Sequence, residues 1–188
     1  MLVTMKNTTL CLATLRDEYR LSGESQSFMH LAQHLKQTGM QVDVYTPSKK
    51  NISNTALRKT NYETHFISRF FKLIGLLIYL IKNSKHYDII HALDGYPYGS
   101  LAILSTLGLG KTVYITGIGS GAIQLFRKPL FRPLLRFSYA RAQKVFALSN
   151  YTARRMHEYI PHIPIIPIIP GIDARSHSQE VSSLKPIK

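Results

Sequence analysis

The sequence predicts a three-layer α/β domain, a doubly wound parallel sheet with helices on both faces. Short apolar runs alternate along the chain with segments whose apolar residues recur at helical spacing. Lys144 to Asp173 condenses that pattern. The apolar run Val145 to Leu148 ends in Ser149-Asn150, a helical pattern follows, and Ile165 to Ile169 ends in Pro170-Gly171-Ile172-Asp173. Strand, capped helix and strand in that order make the βαβ unit of a parallel sheet. At 188 residues and 45% hydrophobic composition, the chain has the size and apolar content of one domain, and two full domains do not fit. The domain is read as 1–173, with 174–188 a polar tail or the start of a linker.

The elements follow in order. Thr9 to Leu15 is the first strand, and a polar loop from Arg16 to Ser22 leads to Gly23. From Glu24 to Thr38, Phe28, Leu31, Ala32 and Leu35 share one helical face, and Gly39 supplies the stop. Met40 to Thr46 alternates apolar and polar residues and reads as a strand. Pro47 to Thr60 reads as a loop, with a weak strand near His65. Phe66 to Lys82 is an apolar helix, Tyr87 to Leu93 a buried strand, Tyr98 to Leu107 a helix, and Thr112 to Thr116 a strand. The loop Gly117-Ile118-Gly119-Ser120-Gly121 precedes a helix from Arg127 to Arg141 that Pro129 and Pro133 delay or kink. Prolines at 161, 164, 167 and 170 mark an extended connection.

The chain holds 24 Lys and Arg against 10 Asp and Glu, a net charge of +14. A balance this basic calls for an anionic partner: nucleic acid, an anionic membrane surface or a phosphorylated substrate. The cations are dispersed and no nucleic-acid-binding motif accompanies them, so no nucleic acid is expected. A nucleic-acid-binding α/β protein stays as the alternative that rests on charge alone. Cys11, the single cysteine, lies in an apolar run, which suits a core position and a reducing, cytoplasmic compartment. The N-terminal stretch reads as the first strand, not a signal peptide.

Two segments carry basic residues among apolar ones. In Phe66 to Lys82 the unbroken apolar part, Leu73 to Ile81, is too short to span a bilayer. It is either a core helix or a helix on a membrane surface, with Arg69 and Lys72 as its contacts. Arg127, Lys128, Arg132, Arg136 and Arg141 recur along the later segment. They make either an interfacial helix facing an anionic membrane or a solvated basic face over core-packed Leu134, Leu135 and Phe137.

In doubly wound sheets, ligands sit outside the carboxyl ends of the strands. The candidate loops are therefore Arg16 to Glu24, Leu93 to Tyr98, Gly117 to Gly121 and Ser149-Asn150. Gly23 lets a backbone approach a diphosphate at a helix N-terminus, or is a plain turn glycine. Gly117 to Gly121 offers backbone amides to a phosphate or acceptor, or is a tight turn. Ser149 or Asn150 caps the next helix. Asp94, at a strand end, is the catalytic candidate; His91, inside the strand, reads as structural. His30 and His34 have metal-ligand spacing, but no third ligand is evident and they read as a solvated face, so no metal is assigned.

Several phrases carry a resemblance. Gly23-Glu24 looks like the end of a Gly-Gly-x-Glu turn. QHLKQTGMQVDVYT (Gln33 to Thr46) is similar to A-L-x-x-x-G-H-x-V-x-V-x-T, and DIIHALD (Asp88 to Asp94) to D-V-V-H-A-H-D. TGIGS (Thr116 to Ser120) is similar to T-x-H-G-S, Ala142 to Asn150 to A-D-x-V-I-A-V-S-x, and Ile168 to Asp173 to V-I-P-N-G-I-D. In this order and spacing the set resembles the N-terminal, acceptor-side domain of family 4 glycosyltransferases of the GT-B fold. The chain departs from that pattern at Leu93 and Ile118, where the family has histidines, at the missing asparagine before Gly171, and at Gly23, which lacks its partner glycine.

The resemblance implies a Rossmann-like domain, one half of a GT-B enzyme that transfers a sugar from a nucleotide-sugar to a glycan or lipid-linked acceptor, as in polysaccharide or lipopolysaccharide biosynthesis. The nucleotide-sugar is a co-substrate, and no other cofactor is implied. Donor diphosphate or acceptor contacts fall on Gly23, Glu24, Gly117, Gly119, Ser120, Ser149 and Asn150. Nothing after Asp173 supplies the second domain with its Glu-x7-Glu pair. The expectation is therefore an incomplete enzyme, or a non-catalytic orphan or split subunit that needs a separate donor-domain chain.

Overall fold

A computed structural model describes residues 8–12, 31–45, 68–119 and 121–168. The apolar runs form strands β1 (Thr8–Leu12), β2 (Gln41–Tyr45), β3 (Ile89–Leu93), β4 (Thr112–Gly117), β5 (Lys144–Ala147) and β6 (Ile165–Pro167). They make one six-stranded sheet in the order β2-β1-β3-β4-β5-β6, with every neighbouring pair parallel. Between them lie α1 (described over 31–37), α2 (Ser68–Asn83), α3 (Ser100–Thr106), α4 (Gly121–Gln124), α5 (Arg132–Arg141) and α6 (Asn150–His157). The doubly wound class read from the sequence is the class observed.

The order places α1 on one face and the later helices on the other. Crossovers between parallel strands are right-handed, so a step from β1 outward to β2 and the steps from β3 towards β6 put their helices on opposite faces. Ile90, Ala92, Val113, Ile115, Val145 and Ala147 are fully buried on one face. They form one cluster with Leu76 and Leu80 of α2, Ile103 of α3, Leu135 and Tyr139 of α5, and Met156 of α6. On the other face a smaller cluster joins Ala32 of α1 to Val42, Val44, Leu93 and Ile118. The direction of winding reverses between β1 and β3, and that switch point is where such sheets hold ligands. A Tyr87 hydroxyl donating to Asp43 Oδ2 (2.9 Å), with Tyr79 Oη 3.1 Å away, ties α2 and the start of β3 to β2.

Three readings change. The helix expected from Arg127 to Arg141 is divided: α4 runs into a tight turn at Leu125–Arg127, and α5 begins only at Arg132. Pro129 explains the break, because the residue before a proline is pushed out of helical geometry, and Lys128 is extended (φ −89°, ψ 117°). Pro133 is then tolerated in the first turn of α5. The helix expected at Tyr98 starts at Ser100, after a wide turn over Gly95–Gly99 in which Tyr96 is extended. Part of the proline-spaced connection is strand: Pro167 stands beside Ala147 at the sheet edge, where a missing N–H costs no ladder bond. The strand near His65 and the loop Pro47 to Thr60 lie outside the described residues.

Candidate functional site

The carboxyl ends of β3, β4 and β5 are tied into one rim, and Asp94 is at its centre. The Asp94 N–H donates to Thr116 O (2.8 Å), its carbonyl accepts from Gly99 N–H (3.1 Å), and its Oδ1 accepts from Ile118 N–H (3.1 Å). The rim continues through Leu148 N–H to Gly117 O (3.3 Å) and Ile168 N–H to Ala147 O (2.7 Å). Asp94 itself has φ 71° and ψ 148°, a conformation that L-residues rarely adopt and that costs on the order of 1–3 kcal/mol. Hydrogen bonds to its N–H, carbonyl and carboxylate hold it there. Asp94 thus reaches the mouth of the crevice as expected, and one of its oxygens is engaged in fixing the loop after β4.

The glycines of that loop serve packing as well as conformation. A Cβ on Gly117 would lie 2.5 Å from Met156 Sδ, so the close seat of α6 against β4 needs a bare backbone. A Cβ on Gly121 would come within 3.2 Å of Asp94 Oδ2. Gly119 has φ +51° and is exposed on the rim. Gly121 and Ile118, which the sequence reading did not single out as site residues, are the two positions the loop presents to the carboxylate. The only signal for them was their place between Gly117 and Gly121.

Ser149 caps α6: its Oγ accepts from Thr152 N–H at 3.0 Å and stands 3.0 Å from Thr152 Oγ1. Asn150 is exposed at the first turn of the same helix. Gly23, Glu24 and Ser120 lie outside the described residues, as does His30. The structure therefore gathers Asp94, Gly117, Gly119, Ser149 and Asn150 along one edge of the sheet.

His91 is one step inside the rim. Its Nε2 is 2.7 Å from Thr116 Oγ1, and its ring faces Tyr114 and Phe146 with centroids 6.2 and 6.1 Å away. Removal from water pushes its pKa down to about 4, so the ring is neutral near pH 7. That is a structural histidine, as read. Burial, and then the negative charge of Asp94, hold the Tyr139 hydroxyl protonated well above the usual phenol range. Among the described residues no three His, Cys, Asp or Glu side chains come together to hold a metal ion.

The basic candidates fall into two groups. Arg127 ends the turn after α4 and Lys128 follows it, while Arg132 and Arg136 belong to α5; all four are exposed. Arg136 Nε donates to Tyr159 O at 3.2 Å. α5 turns its apolar side, with Leu135 and Tyr139, into the core, so 127–141 is not one interfacial helix. Phe137, expected in the core, is exposed, with the Arg141 guanidinium 5.5 Å from its ring centroid. Arg69 and Lys72 belong to α2, and their side chains lie outside the described part.

A parallel, doubly wound sheet holds its ligands in the crevice outside the carboxyl ends of its strands, where these loops gather. Comparison with known proteins narrows the class: the Glycosyltransferase Family 4 model matches residues 21–176. The chain belongs to that family and forms an N-terminal domain of the GT-B type. A search of curated proteins by sequence found no match. Among solved structures, the fold is similar to a sucrose-phosphate synthase from Thermosynechococcus elongatus at TM-score 0.60 and 11% identity, covering 94% of this chain and 96% of that one. It is also similar to MurG from Acinetobacter baumannii (TM-score 0.51, 16% identity, 96% of this chain) and to MnaA from S. aureus, solved with UDP (TM-score 0.50, 16% identity, 81% of this chain). The chain spans 50% of the MurG chain and 40% of the MnaA chain.

Two of the departures from the family phrases have a common structural setting. Leu93 and Ile118, which stand where the family has histidines, are both buried in the small cluster under α1. Apolar side chains at these positions extend the core towards the rim.

Proposed function

We propose that this chain is the acceptor-side half of an enzyme that transfers a sugar from a nucleotide-sugar to a glycan or lipid-linked acceptor in polysaccharide or lipopolysaccharide synthesis. The observation that carries the reading is the family match over 21–176, on a domain whose loops after β3, β4 and β5 are fixed into one rim at the carboxyl edge. On this reading Gly117, Gly119 and Ser120 of the loop after β4, Ser149 and Asn150 at the start of α6, and Gly23 and Glu24 of the loop after the first strand border the acceptor and the donor diphosphate. Asp94 positions the loop that meets the acceptor, and its second oxygen stands 3.2 Å from where a Cβ on Gly121 would lie. The nucleotide is held chiefly by a second domain. The net charge of +14 supports a cytoplasmic protein working peripherally at an anionic membrane.

The burial of Leu93 and Ile118 favours a second reading, an acceptor-binding subunit that leaves chemistry to a partner chain. Equilibrium dialysis of the chain against labelled oligosaccharide and polyprenyl-diphosphate-sugar acceptors, and against UDP-sugars, tests the division of labour. Acceptor binding with weak UDP-sugar binding is expected. Tight UDP-sugar binding with no acceptor binding would refute the acceptor-side assignment.

A further inference from the structure

α2 is apolar on two sides, and among the described residues only one of them is buried. Leu76 and Leu80 face the sheet and are buried. Ile74, Ile78 and Ile81, spaced four and three residues apart, form a second stripe that points outward, with exposures from 37% to 56%. Helices that are apolar all round are normally covered on every side.

α3 packs beside α2 and extends the stripe. Leu104, Leu107 and Leu109, at its end and in the turn that follows, are exposed by between 42% and 50%. Both helices run towards the amino ends of the strands, since they lead into β3 and β4. Lys111 Nζ donates to Lys85 O at 3.0 Å, which fixes the two helix ends side by side. The apolar surface therefore gathers at the end of the sheet opposite the rim.

Its border is rich in Lys and Arg, with the exposed Asp88 as an acidic side chain among them. Lys82, Lys85, His86, Arg141 and Lys144 are exposed at the same end of the molecule. No Asp or Glu occurs in 64–87 or 95–157, the stretches that build α2, α3, α4, α5 and α6. Protein interfaces are depleted of lysine at and around their apolar centres. An apolar centre within a lysine and arginine border instead matches an anionic bilayer, where alkyl side chains enter the headgroup boundary and cations meet lipid phosphate.

We infer that the outer face of α2 and the end of α3 dock the domain on an anionic lipid surface. The contact is peripheral, because among the described residues no helix is long and apolar enough to cross a membrane. Docking at this end leaves the carboxyl rim free. The inference makes specific the membrane part of the proposed function and does not depend on transfer activity.

Vesicle co-sedimentation of the full chain tests it, with vesicles of phosphatidylglycerol mixed with phosphatidylcholine and of phosphatidylcholine alone. Binding to the anionic vesicles only is expected. Ile78→Ser with Ile81→Ser should weaken it by about tenfold. Lys82→Gln with Lys85→Gln should weaken it by roughly fivefold for each charge removed. Tyr151→Ser, an exposed change on α6, should leave binding intact. Leu107→Ser with Leu109→Ser, placed in a turn, repeats the test should the helix pair lower the folded fraction measured by circular dichroism.

Failure of the unsubstituted chain to bind anionic vesicles would overturn the membrane reading itself. Binding that survives both apolar pairs would keep the membrane reading and overturn this surface. A sedimentation experiment showing dimers, abolished by Ile78→Ser with Ile81→Ser and without lipid binding, would assign the face to a second copy and refute the proposal.

Discussion

Asp94 shows how one residue couples the ends of β3 and β4 to the turn that opens α3. Its carboxylate holds the Ile118 amide, while its main chain is pinned to Thr116 and Gly99 in a positive-φ conformation. Asp94→Ala removes that acceptor and leaves a partly buried amide unpaired, which should cost about 1–3 kcal/mol in denaturant unfolding. Asp94→Asn keeps an acceptor and tolerates positive φ, so it should cost less. An equal loss for both would show that charge, not the hydrogen bond, is what the position supplies. His91 makes a pH prediction. Its folded pKa of about 4 lies below the ordinary 6.5, so the unfolded chain binds the proton first as pH falls. Stability from this group is complete above pH 6.5, declines between 6.5 and about 4, and levels off below. His91→Gln should flatten that part of the stability profile.

At the scale of elements, most boundaries were legible because local chemistry decides them. Ser149 was read as a cap and is one; Ser149→Ala should cost about 1 kcal/mol in thermal or urea unfolding. The break between α4 and α5 was misplaced because Pro133 sits comfortably within a first turn, whereas Pro129 forces Lys128 out of the helix. Both prolines lie in one basic, apolar-spaced segment, and periodicity alone does not rank them. Nor could the sequence show that Gly117 is needed for the seat of α6, since Met156 is far along the chain and meets it only after the sheet forms. Gly117→Ala should destabilise by roughly 1–3 kcal/mol. Combined with Met156→Ala, it should cost less than the sum of the two single changes. Of the candidate site, the strand-end positions were legible from the βαβ pattern, because ligand loops follow parallel strands by rule. The burial of Ile118 and Leu93 was not, because the pattern gives the strand end but not which face a loop side chain turns to.

At the scale of the molecule, winding direction explains the division of surfaces. The step from β2 back to β3 and the steps on to β6 stack α2, α3, α5 and α6 over one face, and the outer side of that layer carries the exposed isoleucines together with many Lys and Arg residues. The rim at the opposite end carries Asp94, Gly117 and Gly119, in the loops proposed to meet the acceptor. The sequence conveyed the net charge but not its geometry: Phe66 to Lys82 had to be either core or surface in one dimension, and the folded helix is core on one side and exposed on the other. On the proposed function this domain supplies the acceptor side of a two-part transferase. The decisive measurement is sugar transfer from UDP-sugars to a polyprenyl-diphosphate-sugar acceptor, with the chain alone and with a family 4 donor domain added in trans. No turnover is expected from the chain alone and turnover on addition of the donor domain; transfer by the chain alone would refute the acceptor-side assignment.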